Sequence, residues 1–360
     1  MPHGLDKPMV NNQGHLLYFR QLGFIRFVLA MGVVLFHYSL AYAPFNEGTM
    51  NELIKESAFR VSFFFFISGF VMALVYPKTS NKEKNEFWKK RLSRIGPMYL
   101  IAFLITLFLV LFFKGASPKG VALVSHFFML QSIVPGYTLD LNYPTWSVSV
   151  ELFFYLLFPF INPWINKKGN VWLLLIMCSA WLIQSLQHIY FVDHLYNGSK
   201  KMGEFIDAFP LWHFPTFLCG MLAAHLVRGQ FLHSFFERFS GYLLITALCG
   251  LFSVVLIDNP IRPYIHNGIL MPLYFLIVLS LYYGHTWFGK LLAHPVLVKS
   301  GDLSFSIFLF QYPLWLVMND TLGLISGSTG FFLYLAVLIL LSFIINKYIE
   351  QPLIRRFRKK

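Results

Sequence analysis

The sequence predicts an all-α protein: a polytopic transmembrane helical bundle of about ten spans, one domain over residues 1–360, with both termini in the cytoplasm. Three observations carry this. Hydrophobic residues make up 57% of the chain and charged residues 12%, against roughly a quarter charged in soluble chains. Mean hydropathy is +0.60, and apolar runs of bilayer-spanning length recur from end to end. Lysine and arginine also alternate in abundance between successive loops. The side holding both termini carries 21 of them and the other side seven, a bias that places the basic loops in the cytoplasm.

The first run, Leu22–Leu40, follows a short cytoplasmic segment, residues 1–21, and is too long for the core of a cleavable signal peptide. Its only strongly polar side chains are Arg26 and His37. Eleven steps of about 100° come to roughly three turns plus 20°, so both emerge on one helix face, about 16 Å apart along the axis. An ionisable residue inside a span marks a functional site, although Arg26 lies near one end and can equally snorkel to the headgroups. The second run is Phe59–Val75. The third, Met98–Phe113, follows the most polar stretch of the chain, KTSNKEKNEFWKKRLSRIGPMY. Within it Arg91 and Arg94, spaced i,i+3, share a helix face just before Pro97 opens the span. Two guanidiniums at a membrane mouth suit a polyphosphate, since each can grip it bidentately. The same charges also serve as a topology signal.

The longest loop, Lys114–Trp146, contains the apolar stretch Val121–Val134. It is too short to span and is expected to form an interfacial or re-entrant helix. The fourth span, Ser147–Ile165, opens through PTWSVSVELFFY, residues 144–155. Glu151 lies about one turn inside it from the outer side. A membrane-embedded carboxylate costs several kcal/mol if unpaired, so it needs a partner at similar depth, and His37 is a candidate. A carboxylate that orients an imidazole makes a general base, though such a pair can also be purely structural. The remaining runs are Val171–Gln187, Phe209–Val227, Gly241–Ile257, Gly268–Tyr283, Leu303–Met318 and Phe331–Tyr348. The basic tail, residues 349–360, ends in RRFRKK and is expected to lie against anionic headgroups.

The net charge of +13 follows from this loop distribution, so membrane lipids, and no nucleic acid, are the expected partners. The chain has no Walker loop, no G-x-S-x-G elbow and no dinucleotide fingerprint. Its twelve histidines form no H-x-H or H-x-x-x-H pair, and Cys178, Cys219 and Cys249 stand apart in apolar runs. Neither a metal site nor a disulfide is expected.

Taken together, the landmarks resemble the acyltransferase-3 family of bacterial membrane O-acyltransferases, in one order along nearly the whole chain. They comprise the Arg26/His37 pair, FFFFISGF ending at Phe70, RLSRIGPMY with Arg91, Arg94, Pro97 and Tyr99, and PTWSVSVE ending at Glu151. FPTFLCGML around Gly220, GDLSFSIFLFQYP ending at Pro313 and IEQP at Glu350 complete the set. The resemblance implies a multi-pass enzyme of the bacterial cytoplasmic (inner) membrane. Such an enzyme moves an acyl group, usually acetyl, from cytoplasmic acyl-CoA to a hydroxyl of a cell-envelope glycan, exopolysaccharide or lipid-linked sugar. Acyl-CoA is then the donor substrate, the carbohydrate is the acceptor, and no cofactor is required. On this reading His37 and Glu151 are catalytic, and Arg26, Arg91 and Arg94 bind acyl-CoA. Ser68, Tyr99, Trp146, Ser147 and Gln311 are candidate pocket residues.

Two departures from the family pattern stand out. Gln311 occupies a position where the family commonly has histidine, and it cannot act as a base. His213 and Thr216 lie where arginine and a nearby glutamate are frequent, which bears on acceptor choice. Some relatives carry a C-terminal extracytoplasmic domain, whereas this chain is expected to work without one or with a separate partner. The rival reading from another class is a transporter of a glycan or acyl donor that uses the same polar residues as a proton relay. A membrane sensor that binds acyl-CoA without turnover is a third.

Overall fold

The computed structural model describes residues 20–56, 58–77, 81–195, 200–284 and 287–358. Nearly all of the expected N-terminal segment and the last two residues of the basic tail lie outside these. Among the described residues every regular element is helical. In chain order they are α1 (Gln21–Tyr38), α2 (Gly48–Lys55), α3 (Ala58–Val75), α4 (Asn81–Phe112), α5 (Gly120–Phe127) and α6 (Trp146–Ile165). There follow α7 (Asn170–His194), α8 (Lys200–Ala208), α9 (Pro210–Arg228), α10 (His233–Leu256) and α11 (Met271–Tyr283). The last are α12 (Trp287–Leu292), α13 (Pro295–Trp315), α14 (Gly327–Ile345) and α15 (Gln351–Arg358). Short π-helical segments, Leu316–Thr321 and Asn346–Glu350, continue α13 and α14.

Each of the ten expected spans falls on one of these helices. Six of them (α1, α4, α6, α7, α10, and α14 with its continuation) are long and apolar enough to cross a membrane, and α2 with α3 would make a seventh. α11 has only 13 residues. α9 and α13 carry histidine, serine, proline and charged side chains that lower their hydropathy. For α9 the reason is its place in the bundle. Every residue from Cys219 to Val227 is buried, so the helix meets protein on all sides and need not present an apolar face to lipid.

Two close crossings hold the bundle together. On α3 and α9, a Cβ at Gly69 would stand 2.0 Å from the carbonyl oxygen of Phe217, and one at Gly220 would stand 2.0 Å from that of Phe66. On α1 and α13, a Cβ at Gly301 would meet the Gly23 carbonyl at 2.3 Å. Where apolar lipid removes the hydrophobic drive for association, such small-residue contacts let backbones pack closely and gain dispersion energy. They bring α1, carrying Arg26 and His37, against α13, and α3, carrying Ser68, against α9.

Two local expectations are revised. α4 does not begin at Pro97. It runs as one helix of 32 residues through that proline, so Arg91 and Arg94 belong to the same rigid rod as Tyr99. The Val121–Val134 stretch is helical only in α5, eight residues long. Met129, at φ 56, then turns the chain, and residues 131–145 fold back inward without regular helix until a single 3-10 turn, Tyr143–Thr145. The basic loops cluster at one end of the bundle. The opposite end is tied by Arg262, which pairs with Glu52 and donates from Nε to Glu56 at 2.8 Å, and by Lys114 with Asp320 at 2.9 Å.

Candidate functional site

Five helices contribute to one small cavity, the fifth through Phe305 of α13. Arg26 of α1, Ser68 of α3, Arg91 and Arg94 of α4, and Glu151 and Tyr155 of α6 all line it, and it encloses about 70 Å³. Helical spacing explains the convergence: residues three or four apart share a face, as Arg91 and Arg94 do on α4 and Glu151 and Tyr155 on α6. The Arg91 guanidinium lies 5.0 Å from the Tyr76 ring centroid, 5.8 Å from Phe87 and 5.7 Å from Tyr155. This cage attracts the cation by ring quadrupoles while leaving its edge for a ligand. Its Nε is buried without a hydrogen-bond partner. Trp88 donates from Nε1 to the Tyr155 carbonyl at 2.9 Å, which locks α4 to α6 beside the cage.

The positive charge is balanced from several sides. Glu151 interacts with Arg26, Arg94 and Arg91, accepts from the Tyr155 hydroxyl at 3.4 Å, and lies within reach of Ser68. Asp302 and Glu350 also feel the charges of Arg26 and Arg94. Glu350, on the π-helical segment after α14, accepts from Ser306 at 2.9 Å and from Asn346 at 3.1 Å. Three guanidiniums and the carboxylates of Glu151 and Glu350 thus share one region of the bundle, with Asp302 exposed at its edge, and their opposite charges offset part of the cost of taking each out of water.

His37 is elsewhere. Its ring packs against Tyr143 at 4.8 Å and Phe36 at 5.1 Å, in an aromatic cluster where Tyr38 stacks on Trp315 at 4.4 Å and Tyr143 meets Tyr312 at 4.8 Å. The expected contact with Glu151 does not form. Tyr143 precedes Glu151 by eight residues, about 12 Å of helix, so Glu151 lies that much further toward the basic end. Counting inward from the apolar boundary had placed both residues at one depth. The inward fold of residues 131–145 starts α6 deeper in the bundle than α1 ends.

The candidate pocket residues divide. Ser68 lines the arginine cavity. Tyr99 donates to the His126 carbonyl at 2.7 Å and receives from Gln131 at 3.2 Å, and Gln131 also donates to the Thr145 carbonyl at 3.0 Å. Tyr99 therefore anchors the infolded segment instead of facing the cavity. Ser147, in the first turn of α6, donates to the Pro144 carbonyl at 3.5 Å. Gln311 is fully buried on α13, donates to the Phe308 carbonyl at 3.0 Å and leaves Oε1 unpartnered. Trp146 packs 5.4 Å from the His213 ring, and Phe65 lies 5.0 Å from the same imidazole. These three rings form a partition above the arginine cavity. Sequence reasoning missed Tyr76, Phe87, Tyr155 and Asp302 and gave Glu350 no role. Only Tyr155 carried a local signal, four residues after Glu151 in VELFFY. The others reach the site through long-range packing.

Residues 19–347 match the family model described as an acyltransferase domain, acyltransferase-3. The chain belongs to the acyltransferase-3 family. This acyltransferase-3 chain is 30% identical over 162 residues to the acyltransferase MdmB of Streptomyces mycarofaciens, over 42% of its own length and 40% of that protein's. It is 23% identical over 326 residues to the O-acetyltransferase OatA of Staphylococcus aureus (strain NCTC 8325 / PS 47), over 81% of its own length and 52% of that protein's. It thus spans about half the length, or less, of these relatives. No solved structure matches it.

Proposed function

We propose that this chain is a multi-pass O-acyltransferase of a bacterial cytoplasmic membrane, with both termini inside. It carries an acyl group, in the simplest case acetyl, from cytoplasmic acyl-CoA to a hydroxyl of a cell-envelope glycan, exopolysaccharide or lipid-linked sugar. The supporting observation is the convergence of Arg26, Arg91 and Arg94 on one cavity at the basic half of the bundle. Planar guanidiniums grip phosphate oxygens bidentately, and the Tyr76, Phe87 and Tyr155 rings hold Arg91 in position for that role. His37 lies about 16 Å further along α1, a distance a pantetheine arm can bridge to present its thioester. There His37 accepts the proton of the acceptor hydroxyl, and the alkoxide oxygen attacks the thioester carbonyl carbon. The C–S bond breaks, and coenzyme A leaves as the thiolate and takes up a proton.

The test is binding and turnover of labelled acetyl-CoA by the purified chain in detergent. Arg91→Ala and Arg94→Ala should each weaken binding by on the order of 1.5–3 kcal/mol, roughly 10- to 150-fold, with Arg94→Lys recovering only part. His37→Ala should retain binding and lose transfer. Undiminished binding by both alanine variants would reduce the arginines to topology determinants, and near-normal turnover by His37→Ala would remove that residue from the chemistry.

A further inference from the structure

A second cavity opens at the other end of the bundle from the arginines. It encloses about 510 Å³, and its lining includes Glu56, His188, Asp207, Asp258, Arg262 and His266. These come from the segment after α2, from α7, from α8 and from the loop between α10 and α11. The volume falls within the range of roughly 300–1,000 Å³ usual for small-molecule sites. Its polar groups are poorly satisfied from within. Asp207 Oδ1 is buried with no hydrogen-bond partner, and so is His266 Nδ1. The nearest approach between these two side chains, His266 Nε2 to Asp207 Oδ1, is 3.9 Å.

Immediately behind the lining lies His213, whose Nε2 stands 2.7 Å from the carbonyl oxygen of Asp207. A carbonyl only accepts, so Nε2 carries the proton and Nδ1 holds the lone pair. Gln184 Nε2, nearby, is also buried without a partner. An unpartnered buried polar group loses its water without compensation, and a polar ligand entering the cavity would relieve those on its lining.

We propose that this cavity binds the acceptor, a sugar that is either neutral or carries an amino group. The proposal rests on the acyl-transfer reading for the word acceptor, but not for the site. Charge decides the class. Arg262, the one guanidinium on the lining, is matched by Glu52 and Glu56, which leaves Asp207 and Asp258 as carboxylates facing the space. Carboxylates accept from sugar hydroxyls or an ammonium, and imidazoles can donate or accept. A uronate or phosphosugar would meet like charge. Among the described residues no three His, Cys, Asp or Glu side chains are grouped to hold a metal, so these groups remain available to a ligand.

The position fits as well. The partition of Phe65, Trp146 and His213 separates this cavity from the arginine cavity. Ser68 lies one turn from Phe65 on α3, and Glu151 lies five residues from Trp146 on α6, so the partition itself stands about 5–8 Å by helix rise from those residues of the arginine cavity. Trp146 follows Tyr143, whose ring packs on His37, by only three residues, so a sugar held at the partition lies next to the segment that carries the proposed base's neighbour.

Saturation-transfer NMR on the full chain, in a polyoxyethylene detergent that carries no sugar headgroup, tests this without any acyl donor present. The probes are methyl glucoside, glucosamine, N-acetylglucosamine and glucuronate. At least one of the first three should bind and glucuronate should not. Asp207→Asn and Asp258→Asn should each weaken that binding at least tenfold while acetyl-CoA binding is unchanged. Asp258 sits exposed in a loop, so its variant remains informative if the Asp207 variant does not fold. The proposal is overturned if none of the four sugars binds, if glucuronate binds as well as the others, or if binding survives both substitutions. Sugar binding by a chain that cannot bind acetyl-CoA would sink the acyl-transfer reading and leave this site standing.

Discussion

Replacing Glu151 by glutamine removes one negative charge from a cavity lined by three guanidiniums. If the arginines hold donor phosphates as proposed, that carboxylate would compete for the same guanidiniums. Glu151→Gln is therefore expected to bind acetyl-CoA at least as tightly as the parent. It should also melt at a lower temperature, because removing one partner of a buried ion cluster costs on the order of 3 kcal/mol. Calorimetric titration together with a thermal melt checks both halves. Unchanged binding and stability with slower turnover would tie Glu151 to the reacting hydroxyl instead. Arg91 makes the complementary point. Its aromatic cage satisfies the cation without a carboxylate in direct contact, which leaves its hydrogen-bonding edge for phosphate.

At the scale of elements, the α3–α9 crossing depends on two residues without side chains. Gly220→Val would drive a branched side chain into the Phe66 carbonyl, 2.0 Å from where its Cβ must sit. The helices would have to part, at a cost of about 1–3 kcal/mol or more, seen as a lowered melting temperature and weaker acetyl-CoA binding. A melt equal to the parent's would show that the crossing tolerates separation. The infolded segment after α5 carries its own pH dependence. His126 accepts from the Leu141 backbone N–H through Nε2 at 3.3 Å, and burial lowers its pKa from 6.5 to about 4. The unfolded segment takes up a proton that the folded one refuses. Stability from this group is therefore complete above pH 6.5 and is lost as pH falls from there toward 4, by up to about 3 kcal/mol. Corrected for intrinsic exchange, which slows as pH falls, the opening equilibrium of residues 128–145 should rise between pH 7 and 5 in wild type, and His126→Gln should flatten that dependence.

At the scale of the whole molecule, the two cavities lie at opposite ends of the bundle, one arginine-lined and one acid- and histidine-lined. Such an arrangement suits a reaction whose substrates arrive from different compartments. Its orientation rests on the basic loops. Reporter fusions after Lys84 and after Lys201 should read opposite sides of the membrane, with Lys84 inside. A periplasmic signal at Lys84 would invert the arrangement and put the arginine cavity out of reach of cytoplasmic acyl-CoA.

Composition and the recurrence of apolar runs were sufficient to establish an all-helical chain built for a membrane, because lipid leaves the backbone no other way to satisfy its hydrogen bonds within a short span. Local spacing also placed Arg91 with Arg94, since three residues along a helix share a face wherever that helix goes. Depth and partnership were not local. Glu151 and His37 look level when counted from the ends of their apolar runs, yet the inward fold of residues 131–145 sets α6 lower and hands Glu151 to the arginines. The Tyr76–Phe87–Tyr155 cage, the approach of Glu350 and the gathering of His188, Asp207 and His266 join residues from separate helices. Their contacts arise only when the glycine crossings bring those helices together, because side chains far apart in sequence meet only through the packing of whole elements.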